Sequence, residues 1–330
     1  MAAKTATPPA GPISFTETVT PGTQAEVVEL VRSANADDTP VYPLGGRTAL
    51  GYGLATKQPG LGLVTTGLNR VVDYPARDMT ITVEAGTTFA QLAETLAAEN
   101  QYLPVEIAAP QIATLGGAIA VNMSGPRRYG YGTLRDYVIG ISAVDGRGTP
   151  FHAGGRVVKN VAGYDFCKLL TGSLGTLGVI TQVTLKVRPR PAAAAVVVYG
   201  ASNFTQADRL LEAVTTTKTT PVAVELLSGP AWSTAPVFAK SADSPITLAV
   251  GFEGTPAEVD WQIAQLDREW QPLGGRKVTI IVDHDVQAAW QRLAEFGCGT
   301  NPAPLVLKIS ARPSRLCELL QRVAQLLPES

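Results

Sequence analysis

The sequence predicts an α+β protein of two domains, on three observations. Short β-branched strands alternate with helices that open on capping boxes throughout the first half. Pro189 and Pro191 close a long alternating strand and mark the best domain boundary in the chain. Beyond them the elements run βαββαβ, the order of a ferredoxin-like sheet with helices on one face. The length of 330 residues suits two domains, and 45% hydrophobic against 17% charged residues can fill a large core. The expected limits are a disordered Ala/Thr/Pro-rich N-terminus over 1–13, a first domain over 14–190 and a second over 191–330.

Taken in order, Thr23 and Glu26 frame a capping box, and Val27, Leu30, Val31 and Ala34 share one helical face. Strands follow at 41–44, 62–65, 71–74 and 79–84, the last alternating Met, Ile and Val with Thr and Glu. Thr88 and Gln91 open a second helix that buries Leu92 and Leu96. A hairpin spans 137–153 around the turn Gly146 to Gly148, and a short helix covers 165–170. The long strand is 179–187. The second domain reads as strand 193–199, helix 204–216, strands 222–227 and 246–252, a helix opening at Thr255 and Pro256, and strand 277–282. A helix over 286–296, a strand over 305–309 and an amphipathic helix over 314–327 follow. That trailing unit either pairs at a sheet edge or belongs to a chain that continues.

Charge narrows the function classes. Lys plus Arg number 27 and Asp plus Glu 28, for a net charge of −1, which excludes a general nucleic-acid or acidic-membrane binder. Cys167, Cys298 and Cys317 are far apart with no CxxC, so no zinc or iron–sulfur ligand pattern exists and no metal site is expected. Cys167 reads as core. An odd, unclustered set fits a reducing compartment, and no run approaches the ~20 apolar residues of a membrane span. The expected location is cytoplasmic, with any membrane association made through a complex.

Two small-residue stretches stand out. Strand 41–44 runs into glycines at 45, 46, 51 and 53, with Arg47 and Thr48 among them. Such a loop either presents amides to an anion or merely needs glycine to turn. Neither a Rossmann turn nor a P-loop fits, because no long helix follows and Gly-Lys-Ser/Thr is absent. From Ala109 to Gly132 the chain is small, apolar and nearly uncharged until Arg127 and Arg128. It reads equally as a ligand wall or as a tight packing seam.

Three motifs now stand in order: Pro43 to Thr48, Ala113 to Gly117, and Lys159 to Asp165 leading to Leu169 to Ile180. As an ordered set over about residues 14–190 they resemble the FAD-binding domain of the PCMH-type (vanillyl-alcohol oxidase superfamily) flavoproteins. The wording at 159–180, with Leu174 where relatives usually have glutamate, looks most like the FAD-binding E subunit of glycolate oxidase. The resemblance implies a PCMH-type domain of two α+β subdomains and a ferredoxin-like cap. It implies FAD, with Leu44, Gly45, Gly46, Arg47 and Thr48 around the pyrophosphate. Thr114, Leu115, Gly116 and Gly117 would approach the flavin, Asn122, Ser124 and Gly125 would continue that wall, and Val179 and Ile180 would meet the cofactor by backbone contact. Some relatives attach FAD through a histidine near the first glycine loop; none stands here, so non-covalent FAD is expected.

The activity so implied is oxidation of a small 2-hydroxy acid, glycolate to glyoxylate, within a complex that includes a homologous catalytic flavin subunit and an iron–sulfur subunit. The alternative is a non-catalytic flavin-binding or assembly subunit. Catalytic relatives carry a histidine-rich motif in the cap, whereas this chain has two histidines, His152 and His284, outside any such motif. His152 reads as structural, and His284 stands between Asp283 and Asp285 at a helix start. No catalytic residue is assigned. Arg127 and Arg128 read either as carboxylate clamps or as a solvated or partner-facing pair.

Overall fold

A run of strands ending in prolines divides the chain in the computed structural model, which describes residues 3–5, 13–52, 54–155, 163–233, 237–238, 244–296, 309 and 311–326. One unit comprises Met1–Ser124 and Thr133–Arg190, the other Gly125–Gly132 and Pro191–Ser330. The Arg190/Pro191 junction falls at the proline pair. The short insertion Gly125–Gly132, read from sequence as part of the first domain, groups with the second.

The first unit contains β1 (Ala3–Thr5), β2 (Phe15–Thr20), α1 (Gln24–Ala36), β3 (Val41–Leu44), β4 (Gly60–Val64), β5 (Val71–Asp73), β6 (Thr80–Glu84), α2 (Phe89–Ala97), β7 (Gln101–Tyr102) and α3 (Leu115–Val121). After α4 (Arg128–Tyr131), which belongs to the second unit, come α5 (Leu134–Tyr137), β8 (Val138–Val144), β9 (Pro150–Gly154), α6 (Phe166–Leu170), β10 (Val179–Lys186) and β11 (Arg188–Pro189). One sheet has the order β1-β2-β4-β3, with β2, β3 and β4 parallel. The other, β5-β6-β10-β8-β9, is antiparallel throughout.

Helix α1 begins where Thr23 Oγ1 accepts from Glu26 N, at 3.2 Å. The glutamate does not complete the expected box; it accepts from Gly22 N at 2.7 Å, one residue earlier. Its buried Val27 and Val31 cluster with Leu63 of β4, Val144 of β8 and Val179 of β10, so this one helix packs on both sheets. Burying each such side chain contributes about 1.5–3 kcal/mol. An aspartate at Val31 would break the cluster. The N-terminus departs from the sequence expectation: Ala3–Thr5 is a strand, paired antiparallel with Thr18–Thr20. Backbone pairing asks nothing of side chains, so composition gave no sign of it.

The second unit adds β12 (Ala193–Ala201), α7 (Phe204–Val214), β13 (Ala223–Ser228), α8 (Pro230–Ser233), β14 (Ile246–Gly254), α9 (Pro256–Trp270), β15 (Arg276–Val282), α10 (His284–Ala294) and α11 (Leu316–Leu326). Its antiparallel sheet has the order β13-β14-β12-β15, the ferredoxin-like arrangement expected. The anticipated strand 305–309 lies, but for Ile309, outside the described residues.

One face of this sheet is covered as predicted, by Leu210 of α7 and Leu266 and Trp270 of α9. The other face is covered too, by Trp290 of α10 with Trp232, Phe238 and Tyr131. The reason lies in β12, whose unbroken apolar run must be buried on both faces. Gly251 in β14 lets the Trp290 indole lie against the strand; a Cβ there would collide with the ring.

Candidate functional site

Strand β3 delivers the first glycine loop to a hollow in the first unit. Leu44, Gly45, Gly46, Arg47 and Thr48 all line it, as do Thr114, Gly116, Gly117 and Ile180. The loop's two leading glycines are dictated by neighbouring chain. A Cβ on Gly45 would collide with Thr114 Oγ1, and one on Gly46 with the Ile112 carbonyl. Arg47 is held in the left-handed region, φ 60°, with its guanidinium 5.9 Å from the centre of the Phe15 ring.

Helix α3 supplies the facing wall. Thr114 caps it by accepting from Gly117 N at 3.4 Å, and Gly116 N donates to Ala85 O at 2.7 Å. A Cβ on Gly116 would stand 2.8 Å from Ala85 Cβ, so this glycine serves close packing. Gly117 differs. Its added Cβ would meet only Thr114 Oγ1, at 3.2 Å, yet the position lines the hollow without a side chain. It is small because of the space beside it rather than because of the backbone behind it.

Three buried side-chain oxygens near the end of α3 have no hydrogen-bond partner among the described residues: Asn122 Oδ1, Ser124 Oγ and Ser173 Oγ. Asn122 caps α3 in the left-handed conformation, φ 57°. The chains meet there, since Gly172 N donates to Ile119 O and Leu174 N to Ala120 O. A buried polar atom without a partner costs about 1–3 kcal/mol.

The first hollow has a volume of ≈ 140 Å³, and a second of ≈ 340 Å³ shares Pro43, Gly175 and Gly178 in its lining. The second is lined by Asn35, Asp38 and Asp145 as well as by Val179. In the first, the ionisable lining residues are Arg47 and Tyr52. Arg47 thus lines the first hollow, and Asp38 and Asp145 line the second.

Several sequence expectations change in detail. Leu115 is wholly buried in the core and does not line the hollow, because it lies on the inner side of α3. Asn122 and Ser124 lie behind the lining, which Met123 supplies. Gly125 groups with the second unit. Val179 faces the second hollow and Ile180 the first, as alternation along β10 requires. Residues 159–162 of the third motif lie outside the described residues.

Sequence reading missed Ile107, Met123 and Leu174 in the lining. Ile107 is an ordinary apolar residue with no local signal, and Met123 lies within the marked stretch from Ala109 to Gly132 without being singled out in it. Leu174 had one, a leucine where relatives usually have glutamate in a glycine-rich turn, and it stands at φ 54°.

The histidines and arginines resolve clearly. His152 is braced on both ring nitrogens, Nδ1 by Ser142 Oγ at 3.0 Å and Nε2 by Gly154 O at 3.1 Å, a structural role. The His284 side chain is 91% exposed and pairs with Asp285. Arg127 is no free clamp: it is buried against Glu253 in the second unit, while Arg128 is exposed. Cys167 is buried, as expected, and burial raises its thiol pKa to about 11. Among the described residues no three His, Cys, Asp or Glu side chains cluster to hold a metal ion. No helix among them is long and apolar enough to cross a membrane.

Comparison with known families settles the class. The model of the FAD-binding domain matches residues 16–154, and that of the FAD-linked oxidase C-terminal domain matches 190–330. The chain belongs to the FAD-linked oxidases with a PCMH-type FAD-binding domain. This FAD-linked oxidase chain is 36% identical over 184 residues to D-2-hydroxyglutarate dehydrogenase of Xanthomonas citri pv. viticola, covering 56% of this chain and 39% of that one. It is 36% identical over 170 residues to glycolate oxidase subunit GlcE of Escherichia coli, covering 51% and 47%. To subunit GlcD of Bacillus subtilis it is 29% identical over 212 residues, covering 64% and 45%. The chain thus spans less than half the length of these relatives. Among solved structures, alkyldihydroxyacetonephosphate synthase superposes with TM-score 0.70 at 19% identity, over 85% of this chain and 54% of the other. p-Cresol methylhydroxylase does so with TM-score 0.67 at 17% identity, over 84% and 60%. These two likenesses establish the fold alone.

Proposed function

We propose that this FAD-linked oxidase chain holds FAD non-covalently in the groove of its first unit and takes part in oxidising a small 2-hydroxy acid, glycolate to glyoxylate. The observation that carries the reading is the lining itself. Main chain, small and apolar residues and, among the described residues, the one cation Arg47 line the first hollow. That donor and acceptor set suits an extended dinucleotide. The loop from Leu44 to Thr48 would neutralise and hydrogen-bond its pyrophosphate. Gly117 would admit a flat ring. When bound, FAD supplies a hydride acceptor. Non-covalent retention fits a lining that holds no histidine among the described residues.

Relatives named as glycolate oxidase subunits support placing the chain in a complex. A homologous catalytic flavin subunit and an iron–sulfur subunit would carry the electrons onward, and any membrane association would come through them.

One observation favours the second reading, a flavin-binding subunit that does not itself turn over substrate. The hollow's ionisable lining residues, Arg47 and Tyr52, include no carboxylate or imidazole to take a proton at neutral pH. Both readings are tested in one cuvette. The FAD-loaded chain, mixed anaerobically with glycolate or D-lactate, loses its visible flavin absorbance if it is the catalytic subunit. Persistent yellow colour with every 2-hydroxy acid supports the accessory subunit.

A further inference from the structure

The turn that follows α6 bridges the two walls of the first hollow. Leu174 N donates to Ala120 O at 2.8 Å and Gly172 N to Ile119 O at 2.9 Å, which ties the turn to α3. On its other side Gly175 lies against β3, where an added Cβ would stand 3.5 Å from Pro43 Cγ. Pro43, Ala120, Leu174 and Gly175 all line the hollow. Three residues of the turn are in the left-handed region: Gly172 at φ 86°, Leu174 at φ 54° and Gly175 at φ 73°.

Glycine takes that conformation without steric cost, and leucine does not. Asparagine and aspartate also tolerate it, which accounts for Asp38, Asn100, Asn122 and Asp283 among the described non-glycine residues at positive φ. Arg47, Met79, Ala109 and Leu174 remain. Of these four, Arg47 and Leu174 line the hollow. Leu174 is 49% exposed, so its apolar surface is only half withdrawn from water and packing offsets little of the strain. Strained residues of this kind cluster where ligands are held.

We propose that Leu174 is a ligand-contact residue of the first hollow, an apolar cover that lies on a ring of the bound dinucleotide and shuts water from it. The bond from Leu174 N to Ala120 O holds the backbone in place, so the side chain stays beside the hollow with or without a ligand. Arg47 and Leu174 then act as a pair. Each holds a costly backbone conformation, one to bring a cation to phosphate and the other to bring apolar surface to a ring. The contact rests on the reading of the hollow as a FAD site. The strain does not, and it is measurable in the chain without cofactor.

Three variants of the full-length chain separate strain from contact. Leu174→Asn roughly keeps the size and suits the left-handed backbone, but is polar. Leu174→Gly suits the backbone and removes the side chain. Leu174→Met keeps both the strain and an apolar side chain. Thermal midpoints are measured without FAD. Titration calorimetry at several temperatures gives FAD affinity and the heat-capacity change of binding. The Asn and Gly variants are expected to melt no lower than the parent, to bind FAD about tenfold more weakly and to show a less negative heat-capacity change. The Met variant should bind within about twofold of the parent. Asn and Gly variants that bind FAD as tightly as the parent overturn the proposal and leave the reading of the site standing. Variants that melt more than about 5 °C below the parent without FAD assign Leu174 to packing and overturn it too. A parent that takes up no FAD overturns both the reading and the proposal.

Discussion

Gly45 and Thr114 are packed so closely that any side chain on the glycine would collide with the threonine hydroxyl. That hydroxyl also caps α3. One contact therefore couples the arginine-bearing loop to the helix that forms the opposite wall. Gly45→Ala should lower stability by about 1–3 kcal/mol, as overpacking does. The partner variant Thr114→Ala should restore part of the loss by making room. Urea unfolding of the two single variants and the double gives the coupling, and strict additivity would contradict the contact.

Gly117 should behave in the opposite way. Alanine there meets only one neighbouring atom at 3.2 Å and improves helix propensity by up to about 1 kcal/mol. Gly117→Ala should therefore melt no lower than the parent while binding FAD at least about tenfold more weakly, because the new methyl takes cofactor space. Thermal melts beside flavin titrations check both signs. Equal FAD affinity would remove Gly117 from the wall.

Arg47 is the cation of the hollow. A charge-assisted hydrogen bond contributes about 1.5–3 kcal/mol, so Arg47→Ala should weaken FAD about tenfold or more and flatten the salt dependence of binding. Arg47→Gly should do the same to affinity while relieving the left-handed backbone. Titrations at low and high salt read this directly.

Acid should destabilise the first unit through three aspartates. Backbone amides of Thr133, Thr149 and Lys168 hold the carboxyls of Asp136, Asp145 and Asp165, respectively, below their ordinary pKa. A depressed folded-state pKa gives stability that is present above the unfolded value, about 3.9, and lost as pH falls through the folded value. The thermal midpoint should thus hold down to about pH 5 and fall below about pH 4. Asp145→Asn should melt lower at pH 7 and lose less on acidification.

Much of this architecture was legible because its signals are local. The capping boxes at Thr88 and Thr255 form as written, and alternation placed β6 and β10. Composition left the glycine loop open between an anion cradle and a plain turn, and the reason for Gly45 and Gly46 is the approach of Ile112 and Thr114. No local pattern contains that approach. Arg127 looked available because its partner, Glu253, stands far along the chain in another strand. The second covered face of the ferredoxin-like sheet was foreshadowed in the unbroken apolar run of β12, but only packing says what covers it.

The most direct test of the central claim is stoichiometric. The full-length chain, saturated with FAD and freed of excess, is denatured with acid, and flavin is counted in the supernatant and on the protein. The account predicts one FAD per folded chain, all of it released. A chain that stays colourless at saturating FAD, or one whose flavin remains attached after denaturation, would contradict it.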